Sequence, residues 1–245
     1  MEINYITDNI LIQDNKMLYH TKNTMKPIQH HNWHKILNEC GWTKLSSKWI
    51  SKLNKQLKNP AKNSLFGCLD CGDDGDCLFH CISHALNNIN DERFQNYDSN
   101  DIRKLITEHI TEEQYLQIIE YYRILKDSQE FDETWDPYSI HSKDDLCSEI
   151  MKGGTNYWGD FLLLQLLQSI LHVNILILTN DSHNNIYEPY PTMNEYNSSY
   201  NTIILLYEDS IHFKLVGYFK DNNMIYLFTH ETIPFEIVKI YSIYR

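Results

Sequence analysis

The sequence predicts an α+β domain with a mostly antiparallel central sheet flanked by helices, and a helical extension before it. Three observations carry this. Apolar residues recur at helical spacing as far as Leu171, the period shortens to that of strands from Val173, and a turn-forming tetrapeptide joins the last two strand-like runs.

In order along the chain, Trp33, Ile36, Leu37 and Cys40 fall at i, i+3, i+4 and i+7, one face of a helix stopped by Gly41. Trp49, Ile50, Leu53 and Leu57 repeat the pattern, with Ser46 or Ser47 as N-cap and Pro60 beyond the end. Residues 1–62 therefore read as a small helical extension, ending where a Gly- and Asp-rich turn region begins. Leu78, Phe79, Ile82, Ala85 and Leu86 form a second stripe, with Asp76 placed to cap it. Helical spacing returns in Ile102-Leu105-Ile106, in Tyr115-Ile118-Ile119-Tyr122, and around Leu146 to Ile150 before Gly153-Gly154. Asp160 to Leu171 is apolar nearly all round, which predicts a buried helix. Strands are predicted over Val173 to Thr179, Thr202 to Tyr207, Phe213 to Phe219 and Met224 to Thr229, the last pair joined by Lys220-Asp221-Asn222-Asn223. The resulting division is 1–62, a central domain over 63–220, and a C-terminal β extension over 221–245.

The 245 residues are 42% hydrophobic and 22% charged, enough to build a sizeable core. A formal charge of -12 argues against a nucleic-acid partner, since it repels a phosphate backbone. Six cysteines are too sparse for a disulfide framework and indicate a reducing, intracellular setting. Met1-Glu2-Ile3-Asn4-Tyr5 lacks the basic and apolar regions of a secretion signal. Phe161 to Leu178 is interrupted by Gln165, Gln168, Ser169, His172 and Asn174, so it reads as core and no membrane partner is expected. A monomer is expected.

Chemistry concentrates at Asp74-Gly75-Asp76-Cys77-Leu78-Phe79. A Gly-containing turn delivers Cys77 to the first turn of an amphipathic helix, where unpaired N–H groups and the positive end of the helix dipole favour a thiolate. The same turn, through Gly75 and Asp76, can aim backbone N–H groups at a developing oxyanion, and Asp74 can hold the loop by a hydrogen bond. A thiolate used for acyl transfer needs an imidazole to protonate the leaving amine. Among 12 histidines His212 is best placed, at the start of a late strand that would fix its ring.

These residues resemble the motifs of ovarian-tumour (OTU) domain cysteine proteases. Asp74 to Phe79 resembles the nucleophile motif, Ile211-His212-Phe213 the histidine motif, and Tyr157-Trp158-Gly159-Asp160 the intermediate Trp-Gly motif that leads into a buried helix. The resemblance implies a papain-like OTU fold and hydrolysis of isopeptide bonds at the C-terminal glycine of ubiquitin or a ubiquitin-like modifier, without cofactor or metal. It makes Cys77 the nucleophile, His212 the general base and acid, and Asp74 the loop acid. It also implies a narrow glycine-selecting tunnel lined by Trp158, Gly159, Tyr157 and Phe213. The negative charge then suits the basic tail of ubiquitin, with Asp91, Glu92, Asp132, Glu133 and Asp136 as the acidic residues for steering it.

Two positions depart from the pattern. His80 stands where many members carry Arg, and Lys214 stands where many carry the Asp or Asn that orients the histidine. A cation cannot accept an imidazole N–H. Asp70, Asp74 or a backbone carbonyl must then orient the ring, or the site is a Cys-His dyad; a catalytically silent ubiquitin-binding module is the alternative. Cys68-Leu69-Asp70-Cys71 has the spacing of half a zinc knuckle, but its second pair is missing, and His30, His34 and Cys40 read as a solvated helix face.

Overall fold

Two hairpins in this chain turn on the same dipeptide. Asp14-Asn15 joins Gln13 to Lys16 and Asp221-Asn222 joins Lys220 to Asn223; all four turn residues have positive φ, between 51° and 65°. That conformation matches the strand twist, and Asp and Asn tolerate it better than other non-glycine residues. The computed structural model describes residues 3–22, 24–60, 64–73, 75–87, 96–131, 133–192 and 194–243.

The chain begins with strands β1 (Ile3–Tyr5), β2 (Ile10–Gln13), β3 (Lys16–His20) and β4 (Met25–Pro27), followed by α1 (Trp33–Ile36), β5 (Trp42–Lys44), α2 (Ser47–Asn54) and β6 (Phe66–Leu69). Among the described residues there follow the α-helices α3 (Cys77–Leu86), α4 (Ser99–His109), α5 (Glu112–Asp127), α6 (Lys143–Ile150) and α7 (Phe161–Leu171). The rest is β7 (Val173–Asp181), β8 (Ile186–Pro189), β9 (Asn201–Glu208), β10 (His212–Lys220), β11 (Asn223–Ile225), β12 (Leu227–Phe228) and α8 (Phe235–Ile240). Helices and mainly antiparallel strands make this an α+β fold. Two compact units divide it: residues 1–70, 176–191 and 196–245 form a sheet unit, and residues 71–175 with 192–195 form a helical unit.

In the sheet unit, β1 to β4 form an antiparallel meander of their own. Among the described residues, the helical extension expected over residues 1–62 is thus β-structured through its first part, with helix at α1, at a 3-10 turn over Leu37–Cys40 and at α2. The cause is local: Ile10-Leu11-Ile12 and Met17-Leu18-Tyr19 flank the Asp14-Asn15 turn, and Ile10, Leu11 and Met17 bury against the unit. The Met17 N–H donates to the Asn222 carbonyl at 2.8 Å, so the two Asp-Asn turns meet. The larger sheet runs β5-β6-β10-β9-β7-β8, with β11 and β12 paired to β10 and β9. Its core sets Leu45, Trp49 and Leu53 of the α2 region and Ile237 and Val238 of α8 against Phe66, Leu176, Leu178, Ile204, Leu206, Val216 and Phe228. Each leucine fully withdrawn from water there contributes about 1.5–3 kcal/mol. Helix α8 was not legible as a helix: Phe235-Glu236-Ile237-Val238 is short and β-rich, and follows Pro234.

In the helical unit, α3 buries Leu78, Phe79, Cys81, Ile82, Ala85 and Leu86 and packs on α4, which also packs on α6 and α7. Side-chain caps begin α4 (Asp98), α5 (Thr111), α6 (Ser142) and α7 (Asp160), the first three as full capping boxes. Among the described residues no helix is long and apolar enough to cross a membrane.

Candidate active site

The turn before Cys77 is built by a close approach of two backbones. Gly75 has φ +85°, and a Cβ there would lie 2.2 Å from the Gly154 carbonyl oxygen, so no other residue fits without moving the 153–155 segment. Asp76 occupies the N-cap position of α3, and its carbonyl accepts the first helical hydrogen bond from His80 N–H at 2.9 Å. Its side chain does not cap the helix, contrary to expectation. One carboxylate oxygen accepts from Arg103 Nε at 2.9 Å and from Arg103 Nη2, and the other from Gly154 N–H at 3.0 Å. Cys77 is the first residue of α3, is 5% exposed and forms no disulfide. Asp74 lies outside the described residues.

Arg103 is 0% exposed, and sequence reasoning passed over it. Its guanidinium also donates to the carbonyls of Ile150 at 2.6 Å and Tyr157 at 2.8 Å, and lies over the Phe79 ring with its central carbon 3.8 Å from the centroid. Little in the sequence marks it: Arg103 lies one residue past Ile102, off the Ile102-Leu105-Ile106 stripe, and the acceptors that a buried guanidinium requires come from other elements.

The Trp-Gly segment divides by exposure. Trp158 is 39% exposed and its N–H donates to the Glu133 carboxylate at 3.2 Å, which engages one of the acidic residues assigned to steering. Asp136 caps the turn at Pro137–Ser139, while Asp91, Glu92 and Asp132 lie outside the described residues. Tyr157, expected to line a substrate tunnel, is instead 1% exposed. Its ring stacks on Trp135 and its hydroxyl meets that of Tyr122 at 2.7 Å. The Tyr122 hydroxyl also donates to Asp160, whose other oxygen caps α7. Burial raises the pKa of Asp160 and pushes both phenols well up. Gly159 is required by packing, since a Cβ there would lie 2.6 Å from Leu78 Cδ2, beside Cys77 in sequence.

In the sheet unit, the turn Asp209-Ser210-Ile211 brings the chain from β9 into β10 and makes His212 the first residue of β10, paired with Glu208. The Asp209 carboxylate pins this turn by accepting from the N–H and hydroxyl of Ser182, both at 2.7 Å. His212 Nε2 lies 3.1 Å from Asp70 Oδ2, just past the end of β6, the neighbour of β10. Asp70, one of the alternatives left open by Lys214, thus lies within hydrogen-bond reach of the His212 ring. Lys214 is paired with Glu208; burial opposes its charge, but the Glu208 carboxylate together with Cys68 and Asp70 outweighs burial and leaves its pKa raised. Phe213, also expected at the substrate surface, is 2% exposed and stacks on Tyr207 with centroids 4.5 Å apart. Strand alternation explains this: His212 and Lys214 share one face, and Phe213 points to the other.

The sequence matches the family model described as OTU-like cysteine protease over residues 72–213. No curated protein matches it. Among solved structures it is similar to the OTU domain of OTUD1, with 12% identity, coverage of 76% of this chain and 92% of that one, and TM-score 0.40. It is also similar to the viral OTU domain protease of Dera Ghazi Khan virus, with 15% identity, coverage of 63% and 82%, and TM-score 0.39. A third is an OTU deubiquitinase from Wolbachia pipientis wMel bound to ubiquitin, with 14% identity, coverage of 65% and 98%, and TM-score 0.41. The match over residues 72–213 spans more than half of the sequence and runs from the turn before Cys77 to the residue after His212: the chain belongs to the OTU-like cysteine protease family.

Proposed function

We propose that the protein is a deubiquitinating thiol peptidase that hydrolyses the isopeptide bond after the C-terminal glycine of ubiquitin or a ubiquitin-like modifier. Cys77 Sγ attacks the glycine carbonyl, and N–H groups at the start of α3, with those of the Gly75–Asp76 turn, receive the oxyanion. His212 protonates the departing lysine amine, and a thioester joins the glycine to Cys77. His212 then takes a proton from water, which attacks the thioester and returns the thiol. With Nε2 hydrogen-bonded to Asp70, the ring is held in the tautomer that conducts this proton traffic through Nδ1.

The observation that carries the reading is the Asp70–His212 hydrogen bond of 3.1 Å. It supplies the acceptor that Lys214 cannot, and so removes the reason for reading the domain as catalytically silent. Trp158, exposed next to Gly159, is the aromatic residue best disposed to meet the narrow Gly-Gly tail. The reading is tested by incubating the full chain with linked di-ubiquitins and with a fluorogenic ubiquitin C-terminal amide. Release of mono-ubiquitin or fluorophore, abolished in both Cys77→Ala and His212→Ala, is expected. Absence of release from ubiquitin and from ubiquitin-like substrates would overturn it.

A further inference from the structure

The residue before the nucleophile is an aspartate in the N-cap position, where such a side chain ordinarily accepts from the second or third N–H of the helix. Every other described helix of eight residues or more has that bond, from Ser46, Asp98, Thr111, Ser142 and Asp160. Helix α3 has none. The Asp76 carboxylate is held by Arg103 through Nε at 2.9 Å and Nη2, and by Gly154 N–H at 3.0 Å. Arg103 is itself fixed by the Ile150 and Tyr157 carbonyls and by the Phe79 ring, so it has no freedom to release the anion.

We propose that Arg103 is a positioning residue for the nucleophile turn: it keeps the Asp76 carboxylate off the first turn of α3 and leaves those N–H groups to the Cys77 thiolate and to the oxyanion. The inference rests on Cys77 being the nucleophile. Two physical effects act in one direction. A capping carboxylate would consume the N–H groups that stabilise negative charge at a helix start. It would also place a like charge beside the thiolate, which disfavours ionisation. The guanidinium prevents both, and its fork to two backbone carbonyls ties the turn to the segment that leads into the Trp-Gly motif.

The test reads thiol chemistry, independently of any ubiquitin substrate. The full chain is alkylated with iodoacetamide across a pH series and the label is mapped to Cys77 by peptide mass. In Arg103→Met the Cys77 rate near neutral pH is expected to fall about tenfold, with the profile displaced to higher pH. Adding Asp76→Ala, which removes both the anion and the capping acceptor, is expected to return the profile to that of the parent. Asp73 and His80, which flank Cys77 along the chain, are unchanged throughout, so the displacement reports the Asp76 anion. Arg103→Lys, which keeps a cation but loses the fork, provides the arm that survives poor folding of Arg103→Met; a profile near the parent's with a lower Tm is expected. A folded Arg103→Met with an unmoved profile, a double variant as displaced as the single one, or an Arg103→Lys profile as displaced as Arg103→Met would overturn the inference. A parent protein whose Cys77 takes no label would instead overturn the proposed function itself.

Discussion

His212 Nε2 sits 3.1 Å from Asp70 Oδ2, and the two residues reach each other from neighbouring antiparallel strands. The carboxylate comes from the strand beside the histidine rather than from two residues further along its own strand. Asp70→Ala is therefore expected to lower turnover about a hundredfold through loss of ring orientation, with Asp70→Asn retaining more activity. Lys214→Ala, which breaks the ion pair with Glu208, is expected to change turnover by about twofold or less. Steady-state kinetics on a fluorogenic ubiquitin substrate separates these cases; equal losses at Asp70 and Lys214 would show that the ring is oriented in another way.

Glycine is required at two points around α3, with different severities. Gly75→Ala must resolve a 2.2 Å contact with a backbone oxygen at a positive φ, whereas Gly159→Ala meets a leucine side chain at 2.6 Å. Thermal melts should place Gly75→Ala at a loss of about 3 kcal/mol or more and Gly159→Ala at about 1–3 kcal/mol. The reverse order would mean that the 153–155 segment yields more readily than Leu78.

Two of the three aromatic residues expected at the substrate surface should separate by assay. Trp158→Ala is expected to raise KM with little change in Tm, because its ring is exposed. Tyr157→Phe, which deletes the hydroxyl bonded to Tyr122 at 2.7 Å, should cost about 1 kcal/mol of stability and leave KM unchanged. A KM effect confined to Tyr157→Phe would reverse these assignments.

Much of the difference between expectation and structure has a local cause. The Asp221-Asn222 hairpin was legible because Val216 to Phe219 and Met224 onward flank it with strong β formers. The same turn at Asp14-Asn15 was less legible, because the apolar runs beside it, Ile10-Leu11-Ile12 and Met17-Leu18-Tyr19, are three residues each and are separated from it by Gln13 and Lys16. Strand β6 is four residues long and buried on both faces, so Phe66-Gly67-Cys68-Leu69 shows no alternation. Cys77 and His212 could be proposed from local sequence, because a turn that starts a helix and the start of a strand are local features. Asp70 could be named only as one of several alternatives and Arg103 not at all, since the contact of each is created by a partner on another element: strand register brings one to His212, and helix packing brings the other to Asp76.

Glu236 provides a pH test in the sheet unit. Its side chain is buried on α8, and burial raises its pKa above the ordinary 4.5. A carboxyl raised on folding favours the folded state while it is protonated, and that advantage is lost as pH rises from its unfolded value through its folded value. Glu236→Gln, neutral at every pH, is therefore expected to have a higher Tm than the parent at pH 7, with the gap closing as pH falls toward 4.5. A gap that is constant with pH would exclude the charge as its cause.

The central claim is that Cys77 is the nucleophile of a ubiquitin-directed thiol peptidase. Incubating the full chain with ubiquitin carrying a C-terminal electrophile, followed by intact mass and peptide mapping, tests it most directly. The account predicts one covalent adduct, at Cys77, absent in Cys77→Ala and much slower to form in His212→Ala. No adduct with ubiquitin or any ubiquitin-like modifier, or one that persists in Cys77→Ala, would contradict it.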